Sequence, residues 1–143
     1  MSLPDPEVGL VIAYSYLWHC EHQAGQEEGR KDRPGVIVLA VERPSDGVTF
    51  DTVLPITHSM PTAASTAIEI PAALKRHLGL DNARSWIVVA EGNEFVWPGH
   101  DLRKVPTTGR YEYGFLPPRF VAQVQAAFVA CNRQGQSSLT PRT

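Results

Sequence analysis

Cysteine is nearly absent from this sequence: Cys20 and Cys131 are the only two in 143 residues. So small a supply excludes a disulfide-rich scaffold, and free thiols are expected. No apolar run approaches the ~18 residues needed to cross a bilayer, so no membrane partner is expected. The opening residues, Met1 to Glu7, lack the basic and apolar regions of a secretory signal, and a cytoplasmic location is expected. Neither charge sign prevails. Thirteen Lys and Arg against 15 Asp and Glu leave a formal net charge of -2, which argues against a broad, nonspecific nucleic-acid coat. Internal repeats are also missing. What remains is a chain with 43% hydrophobic residues, enough for one domain with a real core. That domain is expected over residues 1–133, followed by a flexible tail over 134–143.

Most of the chain reads as strand. Val8, Leu10, Ile12, Tyr14, Tyr16 and Trp18 alternate with smaller residues, the period of a half-buried strand. The segment from His19 to Asp32 reads as a long polar loop. Val36 to Val41 is an unbroken apolar run, suited to a central strand covered on both faces. A turn at Arg43 to Gly47 precedes a second alternating strand, and Pro55 argues that this strand ends at an edge or a bulge. A short strand over Ala67 to Ile70 leads into a helix opened by Pro71 and stopped by Gly79. Trp86 to Ala90 reads as a buried strand, with Glu94 to Trp97 as its partner across a Gly92-Asn93 hairpin. A final helix opens at Pro117-Pro118, with apolar residues at three- and four-residue intervals through Cys131. The fold class is therefore mainly β with α (α+β), a small and strongly curved sheet or barrel.

The residues with chemistry cluster at two strand ends. Arg30, Lys31 and Arg33 form a small basic site in Gly29-Arg30-Lys31-Asp32-Arg33-Pro34, just ahead of the buried run. The next strand ends in Thr57, His58 and Ser59. An Arg offers a planar fork of donors and the two hydroxyls add short neutral ones, a combination that suits a phosphate. His19-Cys20-Glu21-His22 has metal-ligand residue types, but adjacent spacing serves a tetrahedral site poorly, so no metal and no cofactor are expected. Cys20 lacks an orienting partner pattern and reads as a surface thiol.

Gly9 opening a strand, Arg33-Pro34 heading an apolar strand, Leu54-Pro-Ile-Thr57 and the segment Ser85 to Glu91 together resemble the PemK/MazF toxins of bacterial toxin–antitoxin systems. The likeness covers roughly residues 8 to 97, and a terminal helix is also shared. It implies an SH3-like barrel of about five to seven strands, with a short mid-chain helix and a C-terminal helix. It further implies a homodimer, a cognate antitoxin and metal-independent cleavage of single-stranded RNA. In this likeness Arg33 would stabilise the crowded phosphate, Thr57 would contact it, and Glu28 would be the general base. Leu10 follows Gly9 where the family often has Asp, and Pro71 to Leu78 exceeds the usual connection.

Cleavage of RNA without a metal uses the neighbouring 2′-hydroxyl as nucleophile, with a base, an acid and fixed positive charge. Glu28 or His58 would move protons, and an unperturbed imidazole is the better match to neutral pH. Arg30, Lys31 and Ser59 would hold the RNA backbone, and Tyr14, Tyr16 and Trp18 offer rings on which bases could stack. The alternative is a non-catalytic binding module on the same barrel, either gyrase-poison-like or a relative without cleavage.

Overall fold

The computed structural model describes residues 3–26, 29, 31–135 and 137–142. Among the described residues nine strands, three α-helices and one short 3-10 helix (Ala64–Thr66) follow one another. The first half contains β1 (Leu10–Tyr14), α1 (His19–Gln23), β2 (Arg33–Glu42), β3 (Thr49–Thr57) and β4 (Ala67–Glu69). The second contains α2 (Ala72–Leu78), β5 (Trp86–Val88), β6 (Glu91–Val96), β7 (Leu102–Arg103), β8 (Glu112–Phe115), α3 (Pro118–Arg133) and β9 (Ser138–Pro141). The class is α+β, dominated by antiparallel sheet, as expected. Among the described residues the strands run β4-β5-β3-β2-β1-β7, with β6 and β8 as side branches and no ladder joining the two ends. Nine strands replace the expected five to seven because several are only two to four residues long. No helix among the described residues is long and apolar enough to cross a membrane.

The longest ladder is β2 against β3, from Gly35 opposite Pro55 to Glu42 opposite Thr49. Val36 and Val38 belong to one apolar cluster and Ile37 to another, so the start of β2 is covered on both faces as its sequence requires. Its end is not: Leu39 and Val41 are exposed. The change falls at a bulge, where the register slips between Ile37 and Leu39. Gln125 of α3 donates to the Val38 carbonyl there at 3.0 Å, supplying a partner where the ladder is disrupted. Pro55 does not end β3. On its outer side β3 pairs with β6 through Phe50 to Val53, then with β5 through Ile56 and Thr57. Pro55 lies between the two partners, where a missing N–H costs no ladder bond.

The helices follow their signals. α2 begins after Pro71 and ends at Gly79, whose φ of 71° is the left-handed conformation that glycine adopts without strain. α3 buries Phe120, Val121, Val124, Phe128 and Cys131 against the first cluster, which also holds Val11, Leu54 and Ile87. The second cluster, with Leu10, Ile12, Tyr14, Tyr16, Ile37, Val53 and Phe95, lies on the other face. Both cysteines are free, Cys20 exposed and Cys131 buried.

Four expectations change. The strand expected over Val8 to Trp18 shortens to five residues, all buried. The polar loop that follows holds α1. Gly92 and Asn93 do not turn a hairpin but lie inside β6. Asn93 is fully buried, and its amide accepts from Leu17 N at 2.9 Å and donates to Leu17 O at 2.8 Å. It thus pairs with the backbone as a strand would, so the amide is worth more there than in a turn. The segment expected as a frayed tail contributes β9, parallel to β6. Beyond it, Arg142 donates to Ser15 O at 2.8 Å, Asn93 Oδ1 at 2.9 Å and Asp101 Oδ1 at 2.7 Å.

Asp51 is buried on β3, and neither carboxylate oxygen has a hydrogen-bond partner among the described residues. Burial pushes its carboxyl up to about 7. From about pH 4 to 7 the folded chain therefore holds a proton that the unfolded chain has released, and stability falls as pH rises through this window. Urea unfolding at about pH 5 and pH 8 is expected to show a loss of up to a few kcal/mol, and Asp51→Asn should flatten most of that difference.

Candidate functional site

The β2–β3 register brings the two polar strand ends together. Continuing the ladder two residues beyond Gly35–Pro55 sets Arg33 opposite Thr57. Both line a groove of about 350 Å³, together with Trp18, Lys31, Asp32, His58, Ser59 and Asp81. Six of the eight predicted site residues therefore meet in one place: Arg33, Thr57, His58, Lys31, Ser59 and Trp18. The other two, Glu28 and Arg30, lie outside the described residues.

Arg33 forms the floor. Its guanidinium carbon sits 4.9 Å from the centre of the Trp18 ring, a cation–π contact that holds the side chain flat. Its Nε is buried with no hydrogen-bond partner among the described residues. Burial lowers its pKa, against the opposing pull of Glu21, Tyr16 and Glu91, but a guanidinium remains charged at any physiological pH. The guanidinium is thus a fixed, half-buried positive charge beside the groove. Trp18 is in turn braced by an edge contact to Tyr16, with centroids 5.1 Å apart. Tyr14 and Tyr16 themselves are at most 1% exposed, so these two belong to the core and offer no stacking surface.

Opposite Arg33, the end of β3 turns sharply. Ser59 N donates to Thr57 Oγ1 at 3.2 Å, which leaves the Thr57 hydroxyl proton free to donate into the groove. His58 is held from beside the groove. Its Nε2 lies 2.7 Å from Asp81 Oδ2. The other oxygen of Asp81 accepts from Lys75 Nζ at 2.6 Å and from Ala83 N at 3.1 Å. Lys75 is buried on α2 and also donates to Ser85 Oγ at 2.7 Å and to the Ala83 carbonyl. This lysine holds the 81–85 loop from beneath, and its ammonium is the main cause that keeps the Asp81 carboxyl below its ordinary range.

Asp81, Lys75 and Glu91 were missed as site residues by sequence reasoning. Glu91 acts on Arg33 through its charge and accepts from Tyr16 OH at 3.0 Å and His19 N at 2.9 Å. Burial raises its carboxyl. No short motif signals Asp81, because Gly79 and α2 decide where it falls. A second niche of about 480 Å³ adjoins the groove across Trp18, Lys31 and Arg33 and runs past Tyr16, Cys20 and Ala24. His19 to His22 lie within α1, and the described residues contain no group of three or more His, Cys, Asp or Glu suited to a metal ion.

A fixed cation, two hydroxyls, an exposed lysine and an imidazole around one groove are suited to a phosphate group and to moving a proton beside it.

No protein-family model, no curated protein and no solved structure matches this chain.

The donor set makes a direct prediction. Inorganic phosphate is expected to shift the amide resonances of Thr57 to Ser59 and the Nε–H of Arg33 in a saturable manner, and Arg33→Ala should abolish saturation. Shifts that stay unsaturated, or persist in that variant, contradict an anion site here.

Proposed function

We propose that this groove is the active site of a metal-independent endoribonuclease that cuts single-stranded RNA, of the PemK/MazF toxin kind with its SH3-like barrel. The observation that carries the reading is the half-buried Arg33, its Nε without a hydrogen-bond partner among the described residues, lining one groove with Thr57 and His58. In the proposed reaction His58 takes the proton of the 2′-hydroxyl, and that oxygen attacks the adjacent phosphorus. The bond to the 5′-oxygen breaks, water at the open rim protonates the leaving oxygen, and the products are a 2′,3′-cyclic phosphate and a 5′-hydroxyl. Arg33 and Thr57 donate to the non-bridging oxygens, where charge builds as five oxygens crowd the phosphorus. Lys31 holds a neighbouring phosphate, and the adjoining niche has room for an unstacked base against Trp18.

A homodimer and an antitoxin belong to the same proposal. An apolar row supports the dimer: Val41, Phe50 and Val96 are opposite one another on β2, β3 and β6, and all three are exposed. The antitoxin would supply a disordered segment that folds into the groove on binding.

Purified protein is expected to cut single-stranded RNA in the presence of EDTA, leaving cyclic phosphate and 5′-hydroxyl ends. Arg33→Ala should reduce the rate by about a hundredfold or more. RNA bound but left intact at high protein concentration would replace this reading with the non-catalytic binding module. Sedimentation should show a dimer at micromolar concentration that Phe50→Glu converts to monomer, and a monomeric native protein overturns the dimer.

A further inference from the structure

Asp81 stands out because its two oxygens have different tasks. Oδ1 faces inward and takes Lys75 Nζ at 2.6 Å and Ala83 N at 3.1 Å, so the loop after α2 fixes the plane of the carboxylate. Oδ2 faces outward and meets His58 Nε2 at 2.7 Å. His58 and Asp81 are both more than half exposed, so a free imidazole here would sample several rotamers. Lys75, by contrast, is buried and makes contacts with Asp81, Ser85 and Ala83. Rigidity therefore passes outward, from a buried ammonium through a carboxylate to an imidazole at the groove.

We propose that Asp81, anchored by Lys75, is the positioning residue of His58. A carboxylate accepts only, so the proton of the neutral imidazole must lie on Nε2, and Nδ1 is left bare as the proton acceptor. Asp81 does not touch substrate. It sets the tautomer and the orientation of the group that does, the way an outer carboxylate orients a working histidine. This rests on the reading of His58 as the base in RNA cleavage, but the tautomer can be read without any RNA.

The decisive substitution is Asp81→Asn. Its carbonyl can keep Lys75 and Ala83 N, while its NH₂ now points at His58 and donates where the carboxylate accepted. The imidazole must then accept through Nε2 and carry its proton on Nδ1, so the acceptor facing the groove is lost. Imidazole ¹⁵N shifts at a pH where His58 is neutral are expected to report the Nε2–H form in the native protein and a move towards Nδ1–H in the variant. On RNA, kcat should fall by about a hundredfold with KM within about twofold, the result of a wrong tautomer in an intact site.

The same tautomer in both proteins, or kcat within about twofold of native, overturns the proposal. Should the variant fail to fold, the native protein alone decides: imidazole ¹⁵N shifts of the Nε2–H form support the contact, and those of the Nδ1–H form overturn it. Native protein that shows the tautomer and its reversal yet leaves RNA intact would support the Asp81–His58 pairing while removing the nuclease reading. Native protein that cuts RNA and loses activity in Arg33→Ala, but not in Asp81→Asn, would do the reverse.

Discussion

Pro55 and Gly35 face each other in the β2–β3 ladder, and the geometry of that pair governs what happens on both sides of it. A Cβ on Gly35 would lie 2.7 Å from Val53 Cγ2 and 3.2 Å from Leu54 O, so the two strands approach there as only glycine allows. Pro55 cannot donate to a neighbour, so the outer partner of β3 changes across it from β6 to β5. The end of β3 thereby leaves one part of the sheet and joins another. Thr57, His58 and Ser59 lie on the departing end, and Arg33 lies just beyond Gly35 on the strand that stays. The groove is the space this parting opens.

Two kinds of support then keep it in shape, each built on buried or half-buried polar groups that bond to neighbouring segments. On one wall Lys75 ties the loop after α2 to itself through Asp81, Ala83 and Ser85. On the other, Glu91 ties Tyr16 and the start of α1 together, and Asn93 pairs with Leu17. Trp18 lies directly after this stapled segment, which is why its ring can serve as a fixed face for Arg33. Removing one partner of such a network leaves the other buried and unsatisfied, which costs more than the contact itself contributes.

Sequence made the strand ends legible because their signals are local. Arg33-Pro34 before an apolar run and a hydroxyl-rich end after Pro55 need only strand period and proline chemistry, and the ladder did the rest. The Gly79 stop and the apolar face of α3 are equally local. What stayed hidden depends on distant partners. Gly92-Asn93 carries the composition of a tight turn, but the Asn93 amide is claimed by Leu17, 76 residues away. Tyr14 and Tyr16 share one alternation with Trp18, yet only Trp18 falls past the edge of the second cluster. Asp81 meets His58 through the path of α2, and no spacing rule encodes that path. The segment near Thr140 looks too polar for a strand until Arg142 finds Asp101.

The hydrogen bond from Arg142 to Ser15 O joins residues 127 positions apart. Ser15 leads directly into the stretch that ends at Trp18, so one wall of the groove waits for a residue made more than a hundred codons later. During synthesis β1, β2 and β3 can pair as soon as they emerge, since their contacts are near in sequence. The groove then exists in outline with its Trp18 wall unsecured. The pairing of β9 with β6 and the bond from Arg142 to Ser15 O can form only after residue 142 is made, so this anchor comes later than the β1–β2–β3 ladders.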